Sequence, residues 1–297
     1  MSQGIITSAI RPQTLKRTWL GGLKSAPSLV ARIDLKILIP SAFLLVFVLF
    51  GLFPGLFVGA DPNAINPAEA FQKPSLSHIF GTDQSGRDVF TRMVYGTRSS
   101  LLIGLGACGL GLLLAVVLGT AAGLAPKAAD FAISKFLEVL FCFPSILLGL
   151  VFVTLYGPGI GSVLLAVGIG TAPGYARIIR SQVQSIASSP YLEASIALGR
   201  NKAWCVRRHV LPGLVRSLAA LATLGVGQAI VWSSSLGYLG LGVTPPDAEW
   251  GAMLAAGRPY ITSAWWLTVG PGLFIVIAAV AATFLGRALQ GRIRGRA

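Results

Sequence analysis

Six apolar runs, each near the length that crosses a bilayer as a helix, constrain this chain more than any other feature. They fall at 37–58, 100–125, 131–155, 160–176, 214–241 and 265–285. A spanning helix needs about 20 apolar residues, and within hydrocarbon only helices or closed barrels satisfy their own backbone. The fourth run is the weakest, interrupted by Gly168, Gly170, Pro173 and Gly174. Composition agrees with this reading. Of 297 residues, 54% are hydrophobic and 11% charged, where a soluble domain carries about 25% charged. The mean hydropathy is +0.74, and a disordered chain would need low hydrophobicity and high charge instead. Cys108, Cys142 and Cys205 are odd in number and lack metal-ligand spacing, which excludes a disulfide scaffold. The expected fold is an all-α polytopic membrane protein with six transmembrane helices.

The net charge of +14 reads as a topology signal once its distribution is followed. Six spans put both termini on one side. With that alternation, 19 of the 24 Lys and Arg fall on the side of the termini and of the long link between runs four and five. The positive-inside bias then makes both termini and that link cytoplasmic. The outer segments, 60–98 and 242–264, carry six acids against five bases. Nucleic acid is therefore not an expected partner, and membrane lipid is. A cleaved signal peptide is also disfavoured, because the first run exceeds the 7–15 apolar residues of a typical signal core.

Missing features narrow the chemistry further. The sequence has no G-x-x-x-x-G-K-[ST] loop, so any nucleotide that drives it would bind another subunit. His78 and His209 are the only histidines, both outside the apolar runs, and no base accompanies Ser233, Ser234 and Ser235 in run five. An active site of its own, or a metal site, is not expected. A self-sufficient secondary carrier or channel is the alternative, but such proteins commonly hold charges at membrane depth. Here the one acid within a run is Glu138, which an i, i+3 pair with Lys135 explains.

The link at 174–216 is too long for a turn. Pro190 suits the first turn of a helix, Leu192, Ile196 and Gly199 fall at i, i+4, i+7, and Gly199 can end the helix in the left-handed conformation. Pro212 is read as the start of the fifth span. Tyr191-Leu192-Glu193-Ala194-Ser195-Ile196-Ala197-Leu198-Gly199, with His209-Val210-Leu211-Pro212 following, resembles the Glu-Ala-Ala…Gly loop of ATP-binding cassette import permeases. Two more stretches, Gly81-Thr82-Asp83-Gln84-Ser85-Gly86-Arg87-Asp88 and Leu239-Gly240-Leu241-Gly242 with Trp250-Gly251, resemble the dipeptide/oligopeptide/nickel branch, and its C-type permease subunit in particular.

The resemblance implies a type I importer permease in a bacterial inner membrane, importing peptides or related polar solutes such as nickel chelates, metallophores or opines. It implies a second homologous permease, two ATP-binding cassette subunits that hold ATP and Mg²⁺, and an extracytoplasmic solute-binding protein. Residues 1–36 would be a cytoplasmic tail, 37–98 the first span and outer segment, 99–287 the permease core, and 288–297 a basic cytoplasmic tail. Tyr191, Leu192, Glu193, Ala194, Ile196, Gly199, His209 and Pro212 would couple to the ATPase, with Leu192 and Ile196 supplying apolar contact. Ser233, Ser234, Ser235 and Tyr238 are candidate path-lining residues. Asp83, Arg87 and Asp88 are expected to form a local ion-pair cluster that supports the fold, with contact to a solute-binding protein as the alternative, and Trp250, Trp265 and Trp266 to anchor at the outer interface. The chain departs from the family pattern at Ser195, where a second Ala is usual, at Ser233, where Glu is usual, and at Thr283 and Arg287, where Asn and Asp are.

Overall fold

The computed structural model describes residues 35–294. Most of the N-terminal tail therefore lies outside the described residues, as do the last three residues. The elements in order are α1 (Leu35–Leu52), α2 (Val89–Leu124), α3 (Lys127–Cys142), α4 (Ser145–Tyr156), α5 (Ile160–Ala187), α6 (Pro190–Ala197), α7 (Lys202–Cys205), α8 (Leu211–Tyr238), α9 (Trp250–Gly257) and α10 (Trp266–Arg294). Among the described residues there is no strand, only an isolated bridge between Thr82 and Asp88.

Five helices are long and apolar enough to span a membrane: α1, α2, α5, the rod formed by α7 and α8, and α10. The third apolar run is not a straight helix. It breaks into α3 and α4, which meet at an 87° bend. The cause is Pro144, which pushes Phe143 into an extended conformation (φ −74°, ψ 120°) and ends α3 there. Six spans result only if this bent pair counts as one.

The link at 174–216 is mostly helix. α5 continues through Pro173 to Ala187, and the fifth span begins at Lys202, before Pro212. Between α7 and α8 the turn Val206–Val210 is a wide π turn. Pro212 has no N–H to return to the Arg208 carbonyl, which accounts for a loosened turn beside it. Only α6 and its two short connections stand between the rods. At the other end, α10 runs on through the segment read as a basic tail, to Arg294.

Without a hydrophobic drive between helices in lipid, close packing depends on small residues. α2 lies against α5 on that basis. A methyl group on Gly119 would sit 2.7 Å from the Ala176 carbonyl oxygen, and one on Gly111 would sit 3.1 Å from that of Gly168. Three buried clusters stack along the bundle. One joins α1, α2, α9 and α10 around Phe47, Met93, Trp250, Trp266 and Phe274. A middle one joins α2, α4, α5 and α8 around Ile103, Val163 and Leu236. The third, towards α6, joins α2, α3, α5 and α8 around Ile179, Val183 and Leu214.

Trp250 and Trp266 correct the sequence reading. They are fully buried and not interfacial, while Trp265 is exposed. Trp250 Nε1 donates to the Met93 carbonyl at 3.0 Å and Trp266 Nε1 to that of Thr82 at 3.1 Å. A buried indole with its N–H satisfied is a core anchor.

Candidate functional site

The α6 end of the bundle presents a short helix held between two rods. Ser189 precedes α6 and its hydroxyl donates to the Ile186 carbonyl at 2.5 Å, locking α6 to the end of α5. Leu192 is 4% exposed and turns into the bundle, so its apolar surface is spent on this chain and not on an outer face. Ser195 Oγ donates to the Tyr191 carbonyl at 2.9 Å, which commits its hydrogen; His209 Nε2 therefore donates to Ser195 Oγ at 3.2 Å. The His209 ring also touches Tyr191 and Trp204, at centroid distances of 5.5 and 5.3 Å. Asn201 caps α7 by accepting from the Trp204 N–H at 2.8 Å. His209 thus joins α6 to the α7–α8 rod.

The outward ridge consists of Tyr191, Glu193, Ala194, Ile196 and Leu198, all exposed, with Leu198 at 82%. Gly199 follows in the left-handed region at φ +81°, and nothing lies within 4 Å of where a side chain would start. Pro212 is exposed on the rod behind. This is a partly apolar projection tied by side-chain hydrogen bonds to α5 and to the α7–α8 rod. One further tie on this side escaped the sequence reading. Asp130 on α3 accepts two bonds from Arg180 on α5, at 2.5 and 2.6 Å. Lys135 and Glu138 form the expected local pair at 2.8 Å, exposed on α3.

At the opposite end, the motif at 81–88 is a folded knot that starts α2. Asp83 Oδ1 accepts from the backbone N–H of Ser85 (2.8 Å) and of Arg87 (3.0 Å), and Oδ2 accepts from Arg87 Nε at 2.7 Å. Asp88 caps α2 by accepting from the Thr91 N–H at 2.7 Å, and its other oxygen meets His78 Nδ1 at 3.0 Å. Thr82 donates to the Glu69 carbonyl and accepts from the Gln72 N–H. Gly81 and Gly86 take φ of +65° and +74°, and a side chain on Gly86 would collide with the Asn66 carbonyl. Asp83 and Arg87 form the expected ion pair; Asp88 contributes a helix cap and a histidine contact. Arg92, one turn into α2, is buried and reaches the carbonyls of Pro62 and Pro246 at 3.0 and 3.1 Å. It staples the segment before α2 to the segment after α8.

The segment between α8 and α10 holds a buried acid that sequence reading counted only as a charge. Glu249 is 1% exposed and caps α9, accepting from the Gly251 and Ala252 N–H groups at 2.8 Å each and from Ser100 Oγ at 3.2 Å. Burial pushes its carboxyl up from the ordinary carboxylate range, opposed by those three donors. The serines of α8 divide. Ser233 and Ser234 are buried, Ser233 bonding back to the Ile230 carbonyl at 3.0 Å and Ser234 having no partner among the described residues. Ser235 and Tyr238 are exposed.

The chain as a whole is similar to known proteins. Residues 115–296 match the family described as the binding-protein-dependent transport system inner membrane component. A dipeptide transport system permease protein, DppC of Alkalihalophilus pseudofirmus, is 36% identical over 244 residues, covering 82% of this chain and 80% of its own. The probable D,D-dipeptide transport system permease protein DdpC of Escherichia coli is 32% identical over 285 residues, covering 96% and 94%. The glutathione transport system permease protein GsiD of Pectobacterium atrosepticum is 36% identical over 217 residues, covering 73% and 72%. Among solved structures, an inward-facing MetNI methionine ABC transporter aligns with a TM-score of 0.55 at 18% identity, over 68% of this chain and 96% of that one. At that identity the likeness concerns the fold, which is that of type I ABC importer permeases. This chain belongs to the family of binding-protein-dependent transport system inner membrane components.

Proposed function

We propose that the chain forms half of the solute path of an ATP-driven importer, with a second homologous permease completing it. Its α6 end faces the cytoplasm, in line with the excess of Lys and Arg there. Two ATP-binding cassette subunits, carrying ATP and Mg²⁺, supply the energy, and α6 seats in a groove on one of them. An extracytoplasmic solute-binding protein delivers solute at the end bearing the Asp83 knot. The solute is a peptide or related small polar molecule, because relatives are named for dipeptides, D,D-dipeptides and glutathione.

The observation that carries this reading is the exposed ridge of α6, fixed to α5 by Ser189 and to the α7–α8 rod by Ser195 and His209. A helix tied to two rods transmits a push as a rigid body, which suits a two-state alternating-access rearrangement. Glu193 orients the seated helix through polar contacts, Ala194 and Gly199 allow close approach, and Tyr191 and Ile196 supply apolar contact. Proteoliposomes holding the assembled complex, with binding protein outside and ATP–Mg inside, should accumulate a labelled dipeptide mixture. Accumulation should require ATP and survive a protonophore. Accumulation by this chain alone, without ATP and abolished by the protonophore, would overturn the reading in favour of a secondary carrier.

A further inference from the structure

The outward faces of the long helices are of two kinds. On α2 the exposed positions include Leu102, Leu105 and Val117, and on α10 they include Val269, Val276 and Phe284. Those faces suit hydrocarbon. α8 differs. Its exposed residues over the corresponding stretch are Gln228, Val231, Trp232, Ser235 and Tyr238. At 100° per residue they fall within about 120° of arc, a single stripe along the helix.

An amide in hydrocarbon forfeits its hydrogen bonds to water at a cost of several kcal/mol. Gln228 has no side-chain hydrogen-bond partner among the described residues. Ser235 bonds back to the Val231 carbonyl at 2.8 Å, yet its oxygen keeps a free acceptor site outward. Beyond the outer end of α8, the Arg258 guanidinium stands 5.8 Å from the Tyr238 ring centre. Arg258 is exposed and enters none of the ion pairs among the described residues.

We propose that the Gln228–Tyr238 face of α8 lines the aqueous solute path, and that Arg258 at its outer end collects the carboxylate of an entering solute. This rests on the permease reading and adds which face of which helix meets the solute. Ser233 and Ser234 then belong to the packing, while Gln228 and Trp232 join Ser235 and Tyr238 on the path. Amide, hydroxyl and indole groups offer the mixed polar and apolar surface that a solute with amide bonds requires, without the fixed charge that would trap it.

The test uses the complete importer in right-side-out membrane vesicles, with Cys142 replaced by Ser and the buried Cys108 and Cys205 retained. Single cysteines go in at Gln228, at Ser235 and, facing lipid, at Val276, with Val231→Cys as a second site on the stripe should Gln228→Cys fail to assemble. Two membrane-impermeant methanethiosulfonates probe them, one anionic (sulfonatoethyl) and one cationic (trimethylammonioethyl). Stripe positions should react and position 276 should not. The preference of position 235 for the anionic reagent should fall about two- to fivefold in Arg258→Gln, the size of one screened charge at close range. Stripe cysteines as inert as position 276, or cross-linked to the second permease, would overturn the path assignment. An unchanged reagent preference in Arg258→Gln would overturn the role of the arginine. ATP-driven uptake measured on the same vesicles separates the two levels. Uptake with an inert stripe refutes this inference and leaves the permease reading standing, whereas ATP-independent uptake refutes the permease reading.

Discussion

Reversing the charge of Glu193, or placing an indole at Gly199, should cut uptake by at least about tenfold, the loss expected when a central contact of an interface is spoiled. Expression and assembly of the permease should stay near normal. The structure separates the two effects because both positions are exposed. Glu193→Lys removes no bond within the chain, and surface changes of that kind alter stability within about 0.5 kcal/mol. Gly199→Trp meets no atom within 4 Å, so its bulk projects into the space a partner would fill. It also forces an ordinary residue to φ +81°, a strain of roughly 1–2 kcal/mol. Gly199→Ala carries that strain without the bulk. Uptake by Gly199→Ala well above that of Gly199→Trp assigns the loss to docking, while equal losses assign it to the turn. Unchanged uptake in both Glu193→Lys and Gly199→Trp would remove α6 from the coupling role.

The second large effect lies at the other end of the bundle. Glu249→Ala strands the Gly251 and Ala252 N–H groups and the Ser100 hydroxyl in a buried site. Each stranded donor costs about 1–3 kcal/mol, so the complex should melt well below wild type in detergent. Glu249→Gln is milder. Its amide oxygen can serve Gly251 and Ser100, but its NH₂ then faces the Ala252 N–H. The raised carboxyl pKa fixes the sign of the pH dependence. A folded acid that holds its proton more tightly than the unfolded chain contributes stability at low pH and loses it as pH rises above the ordinary value of 4.5. Wild type should therefore gain on Glu249→Gln as pH is lowered towards 4.5. A melting difference between the two that stays flat across that range would show that burial does not govern this carboxyl.

How much of this was legible in the sequence depends on what each signal measures. Hydropathy located every long helix, because the demand for about 20 apolar residues is set by the bilayer and not by the fold. It passed over the break at Phe143–Pro144, since a proline bend changes backbone direction without lowering the apolar count. The short helix α6 was readable from Pro190 and Gly199, which mark its two ends through backbone preference alone. Which way Leu192 points was not, because i, i+4 spacing names a face without saying what it packs on. Trp250 and Trp266 misled for a related reason. An indole suits both an interface and a core, and only their bonds to the Met93 and Thr82 carbonyls decide. Glu249 was hidden by distance along the chain, its Ser100 partner being 149 residues away. Ser233 and Ser235 look alike in sequence, yet two residues along a helix is a rotation of 200°, enough to send one inward and one out.

The most direct test of the account is the identity of what this chain holds on to. Tagged and extracted from native membranes in mild detergent, it should bring with it a second permease of the same family and either two ATP-binding subunits or two copies of one, identified by mass spectrometry. The ATP-binding companions should be lost, and the second permease retained, when α6 is disrupted by Glu193→Lys. Recovery of this chain alone, as a stable homo-oligomer, would contradict the account and leave the ridge between α5 and α8 without a purpose.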